Sequence, residues 1–143
     1  MTDTAVGRTL AAALLAMCCA SGVWSADVRA KADVTCKPTE KKLEYDCNIK
    51  LSNSRTGEPL SDVTLTVGAD MPSMPLAHNV RPAKAEARQE PGTYQARIRL
   101  EMLGDWALRL DLSGKIRDRV VAIMRFEADR AAPAAASQPR HRH

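Results

Sequence analysis

Aromatic side chains are scarce here, with one Phe, two Tyr and two Trp in 143 residues. A surface that stacks nucleobases interleaves rings with basic groups, so nucleic acid is not an expected partner despite a net charge of +4. Any core must instead be filled by Val, Leu, Ile and Met. Long apolar runs are missing too. The run from Leu10 to Cys19 falls well short of the roughly 20 residues a membrane helix needs, and no later stretch comes close. No membrane span is therefore expected in the mature chain. Internal repeats, a phosphate-binding glycine loop, GxSxG and HExxH are all absent. Of the three histidines only His78 lies outside the C-terminal tail, and no serine or cysteine near it has the context of a nucleophile. Without a convergent acid, base and nucleophile, an enzyme is not expected.

What is present suffices for one domain, since 45% of the residues are hydrophobic. The first 25 or so residues have the layout of a cleavable export signal. Arg8 and the free amino terminus supply positive charge, the apolar run follows, and Val23 and Ser25 precede a cut before Ala26. A cut after Gly22 or after Ala26 fits nearly as well. The expected organisation is a signal over 1–25, a domain over 26–128 and a disordered tail over 129–143, with the mature protein periplasmic or secreted. Lipidation at Cys18 or Cys19 is the alternative, although neither follows the small residue such a site prefers.

Past the signal the hydrophobic period is two. Val28, Ala30, Ala32, Val34 and Cys36 alternate with Arg29, Lys31, Asp33 and Thr35; Leu43, Tyr45, Cys47, Ile49 and Leu51 alternate with Glu44, Asp46, Asn48 and Lys50. Placing Cys36 opposite Cys47 sets Val34 against Ile49 and Ala32 against Leu51, so one register buries every apolar residue and joins the sulfurs. A disulfide is the expected state in an oxidising compartment. A soft-metal pair and a redox couple are the alternatives, but the spacing is neither CxxC nor that of a zinc ribbon.

The alternation continues through Val63, Leu65 and Val67, weakly near Ala83 to Ala87, then through Tyr94, Ala96, Ile98 and Leu100 and through Trp106, Leu108, Leu110 and Leu112. The last two runs, joined through Gly104, predict a second hairpin. The paired apolar residues Val120-Val121 and Ile123-Met124 predict a more buried or bulged final strand between Ile116 and Phe126. About seven short strands with turns between them predict an all-β, immunoglobulin-like antiparallel sandwich. Arg97, Arg99, Arg109, Arg117 and Arg119 fall on outward positions and read as a solvated face. The Ala- and Pro-rich segment from Ala128 shows no burial pattern and is expected to be disordered.

One loop is chemically unusual: Asp70-Met71-Pro72-Ser73-Met74-Pro75-Leu76-Ala77-His78-Asn79. Two thioethers with an imidazole beyond them make a soft ligand set that suits Cu(I), and thioethers bind without losing a proton. The competing reading is that Met71, Met74 and Leu76 fold over the open end of the sandwich as apolar filler, with His78 in solvent.

The segments Met71-Pro72-Ser73-Met74-Pro75, His78-Asn79, Pro91-Gly92-Thr93-Tyr94 and Met102-Leu103-Gly104-Asp105-Trp106 resemble the YtkA-like domain of the FixH-like group. That resemblance implies an exported β-sandwich associated with heavy-metal efflux or with supplying copper-containing oxidases. The expected function is thus a periplasmic accessory protein binding Cu(I) or another soft metal through Met71, Met74 and His78, with Met102 as a fourth candidate. Its partners would be envelope metal-transport or oxidase-assembly proteins. The alternative is a metal-free interaction module that docks on the same machinery.

Overall fold

The computed structural model describes residues 28–78 and 80–134. Nine strands follow one another: β1 (Ala30–Pro38), β2 (Glu44–Asn53), β3 (Val63–Asp70), β4 (Ala83–Lys84), β5 (Glu86–Ala87), β6 (Thr93–Arg99), β7 (Gly104–Gly114), β8 (Asp118–Phe126) and β9 (Ala131–Pro133). They form two antiparallel sheets, one in the order β1-β2-β6-β5 and the other in the order β4-β3-β7-β8-β9. The fold is an all-β sandwich. The segment proposed as an export signal lies outside the described residues.

The period of two becomes the core. Tyr45, Cys47, Ile49 and Leu51 from β2 meet Leu65 and Val67 from β3 and Trp106, Leu108 and Leu110 from β7, each at most 2% exposed. In the β1–β2 pair Cys36 faces Cys47, Val34 faces Ile49 and Ala32 faces Leu51, as the alternation requires. The two cysteines are disulfide-bonded, with their Cα atoms 4.0 Å apart. At the far end of β2 the Tyr45 hydroxyl donates to the Glu127 carbonyl at 2.6 Å, and the ring meets Phe126 edge to face.

Four features differ from the sequence expectation. First, β6 and β7 are not a hairpin. Tyr94, Ala96 and Ile98 on β6, and Trp106, Leu108 and Leu110 on β7, are buried in one core from opposite sheets. The corner between Leu100 and Gly104 carries the chain across, because β2 takes β6 as its neighbour while β3 and β8 flank β7. Second, β8 carries no bulge. Its register with β7 is unbroken from Gly104↔Phe126 to Leu112↔Asp118, so Val121 and Ile123 point outward and are 54% and 43% exposed. Third, the weak strand near Ala83 is split. Its first half pairs with β3 and its second half with β6, with buried Ala85 between them, so one short run closes the sandwich edge by joining both sheets.

Fourth, β9 extends ordered structure beyond Ala128. Ala131 packs against the core, β9 pairs with β8, and the Ala134 amide donates to the Ile123 carbonyl at 2.9 Å. Sequence alone does not reveal this strand because an edge strand with one neighbour needs little apolar alternation. The turn at Pro91-Gly92 is sterically specific. Gly92 has φ +73°, and a Cβ there would lie 2.7 Å from the Leu51 carbonyl oxygen. Two residues on, the buried Tyr94 hydroxyl donates to the Leu60 carbonyl at 3.0 Å.

The outward arginines are largely paired. Arg97 forms a two-pronged contact with Asp46 at 2.7 and 3.0 Å, Arg125 forms one with Asp105 at 2.7 and 2.8 Å, and Arg109 bridges Asp70 and Asp111. Hydrogen bonding from Arg97 holds the Asp46 carboxyl below the usual carboxylate range, and Arg125 does the same for Asp105. Burial works against ionisation of Asp111, but Arg119 and Arg109 outweigh it and its carboxyl is lowered as well.

Candidate metal centre

The methionine loop leaves β3 at Asp70 and closes in two turns, with the Met74 amide bonded to the Met71 carbonyl at 3.0 Å and the Ala77 amide to the Met74 carbonyl at 3.2 Å. Prolines at 72 and 75 lack an N–H and cannot continue a ladder, so the strand pattern ends here. The turns treat the expected ligands differently. Met71 is 5% exposed and belongs to the core, whereas Met74 is 39% exposed. Leu76 sits at φ +63° and is fully exposed, so it does not cover the end of the sandwich as the filler reading requires.

Met71 is seated by Gly104. That glycine has φ +133°, and a Cβ built on it would lie 3.3 Å from the Met71 methyl carbon. The corner that crosses between the sheets therefore ends with a missing side chain where the thioether packs. Met102, two residues earlier, is 40% exposed, and its carbonyl accepts from the Trp106 indole N–H at 3.1 Å. The Met102–Trp106 segment is thus tied back on itself, with the Trp106 ring fully buried beneath it.

His78 joins this cluster rather than solvent. Its side chain is 15% exposed, its ring lies 5.2 Å from that of Trp106 at 54°, and its Nδ1 is 2.6 Å from Oε2 of Glu101. A carboxylate can only accept there, so Nδ1 carries the hydrogen. In the neutral ring this leaves the lone pair on Nε2. That atom is buried and has no hydrogen-bond partner among the described residues. A buried polar atom left without any partner costs about 1–3 kcal/mol, so this nitrogen is a candidate to accept a further ligand. Metal-binding histidines characteristically donate their second nitrogen to a carboxylate, which fixes both tautomer and ring orientation.

The structure thus brings Met71 and His78 to one end of the sandwich around Gly104 and Trp106, and it places Met102 on the neighbouring turn. Met74 follows Met71 in the same loop but faces outward. Sequence reasoning missed Glu101, whose role comes from contact across 23 positions of sequence. Its place directly before Met102 in the corner was the only available signal. Among the described residues no three His, Cys, Asp or Glu side chains gather to hold a metal. The chemistry of the donors at this end, thioethers and one imidazole, is of the soft type that suits a monovalent ion such as Cu(I).

Among the described residues, no helix is long and apolar enough to cross a membrane. Neither curated proteins nor solved structures provide a match to the chain. The YtkA-like family model matches residues 23–111, covering β1 through most of β7 and every residue of the Met71–Trp106 cluster. The disulfide and this match are compatible with an extracytoplasmic protein. By the extent of that match, the chain belongs to the YtkA-like family.

Proposed function

We propose that this protein is an exported accessory factor that binds Cu(I) as cargo in the periplasm or outside the cell, after removal of the segment over 1–25, and takes part in copper delivery or heavy-metal efflux. The observation that carries this reading is His78, whose Nδ1 is held by Glu101 while Nε2 stays buried without a partner among the described residues. Met71, Met74 and His78 are the ligands, with Met102 as the candidate fourth. Thioethers favour Cu(I) over hard ions, and the proline-bounded turns limit the entropy lost on closing the loop. Met74 and Met102, both partly exposed, give the ion a route in and out, which suits a carrier better than a storage site.

The test is a Cu(I) competition titration on the mature, tag-free protein and on a form lacking 135–143, because His141 and His143 can bind divalent ions adventitiously. Replacing Met71 and Met74 with Leu keeps the volume and deletes sulfur. A volume-conserving swap of this kind costs less than about 1.5 kcal/mol per site, so the fold survives while Cu(I) affinity falls. Equal Cu(I) binding by parent and double variant, or no binding by the form lacking the tail, would overturn the proposal. Mg(II) should not compete.

A further inference from the structure

The methionines of this chain are not equally placed. Of the six, Met1 and Met17 lie in the segment proposed as an export signal. Met71 and Met124 are 5% and 2% exposed; the first is seated against Gly104, and the second faces Trp106 across the β7–β8 ladder. Met74 and Met102 are 39% and 40% exposed. Their backbones are nevertheless held. The Met74 amide and carbonyl are both engaged in the turns of the loop, and the Met102 carbonyl accepts from the buried Trp106 indole. Two pinned turns thus present two thioethers to solvent at the end of the sandwich where Met71 and His78 lie, while the other two described methionines are enclosed.

A thioether ligates Cu(I) through a sulfur lone pair, and a sulfur lone pair is also what attacks an electrophilic oxygen. With hydrogen peroxide, that pair forms an S–O bond to one oxygen while the O–O bond breaks with its electrons on the departing oxygen. The remaining hydroxyl proton follows, and water leaves. Sulfur is oxidised by two electrons to the sulfoxide, and the peroxide is reduced. We propose that Met74 and Met102 are a peroxide-sensitive pair whose conversion to sulfoxides releases Cu(I) from a protein that stays folded. The inference rests on the Cu(I) reading and deepens it by naming the chemistry that turns the site off. Burial separates this switch from damage. A sulfoxide at 74 or 102 keeps its oxygen in water, whereas one at 71 or 124 would place an acceptor without a partner in the core. Methionine sulfoxide reductases reverse the reaction, and side chains on exposed turns are open to such enzymes.

The test treats the full mature chain, free of metal, with increasing hydrogen peroxide, quenches with catalase, and divides the sample among peptide mass mapping, thermal melting and anaerobic Cu(I) competition. Met74 and Met102 should each gain one oxygen before any appears at Met71 or Met124. At that stage the melting temperature should be unchanged. Cu(I) affinity should fall at least about tenfold, since losing a ligand costs no less than losing an outer partner of one. An M74L/M102L variant binds Cu(I) more weakly from the outset, and the same peroxide dose should weaken it no further. The proposal is overturned if Met71 or Met124 is oxidised as fast as the exposed pair, or if oxidation of the pair lowers the melting temperature by several degrees. It is also overturned if the oxidised parent binds Cu(I) as tightly as the untreated one, or if peroxide weakens M74L/M102L as much as the parent. No Cu(I) binding by the untreated parent refutes the metal reading and the release step with it, whereas tight binding that survives oxidation of the pair refutes the release step alone.

Discussion

If Glu101 holds His78 in the tautomer that exposes Nε2, removing its carboxylate must weaken Cu(I) binding without unfolding the protein. Loss of an outer partner of a ligating histidine typically costs about 10–100-fold in metal affinity, or roughly 1.4–2.7 kcal/mol. The Glu101 side chain is 48% exposed, and water can partly replace it. Glu101→Ala is therefore placed at the lower end, about a tenfold loss. Glu101→Gln keeps an acceptor oxygen for the Nδ1 hydrogen but not the charge, so roughly a threefold loss is expected. A half-exposed contact of this kind contributes at most about 1 kcal/mol to folding, so thermal melting should hardly change in either variant. The assay is competition against a chromophoric Cu(I) chelator. Long-range proton–nitrogen correlation spectra of His78 supply a readout that a purely structural role would not move, namely hydrogen on Nδ1 in the parent and mixed tautomers in Glu101→Ala. The reasoning is refuted if Glu101→Ala binds Cu(I) as tightly as the parent, or if the parent carries its hydrogen on Nε2.

The Cys36–Cys47 bridge closes a loop with a sequence separation of 11, for which chain entropy gives about 2.8 kcal/mol. Chemical reduction should lower the melting temperature by more than about 10 °C, and two free thiols in the purified mature protein would remove the premise. Ending the chain after Ala134 should leave the melting temperature unchanged. Ending it after Arg130 should lower it measurably, because β9 and the Ala134–Ile123 hydrogen bond are then lost. The lowered carboxyl groups of Asp46, Asp105 and Asp111 set a pH dependence. Each is more acidic folded than unfolded, so each contributes stability that is present above the unfolded carboxylate pKa and is lost as pH falls through the folded one. Denaturant melts should show stability declining as acid is added, and less steeply in Arg125→Gln, which releases Asp105.

Alternation with a period of two reports which residues share a face, and that much was legible in the chain. The β1–β2 register followed because one alignment alone buried Ala32, Val34, Ile49 and Leu51 and also apposed the cysteines. The Met71–His78 loop could likewise be singled out, since its prolines end a strand pattern and its sulfurs are unusual. Alternation is silent on which strand lies beside which. Tyr94–Leu100 and Trp106–Leu112 bury the same kind of face whether they pair as a hairpin or oppose one another across a core, and only the competition for neighbours among β2, β3 and β8 decided it. The paired apolar residues of β8 misled for a related reason, because local composition cannot say that Val121 and Ile123 lie on the outer face. The candidate site divides the same way. Side-chain chemistry nominated Met71, Met74, His78 and Met102, but burial of Met71 against Gly104, exposure of Met74 and capture of His78 by Glu101 depend on a corner that crosses between sheets. Contacts made across such a corner depend on distance in space, which residue spacing along the chain does not encode.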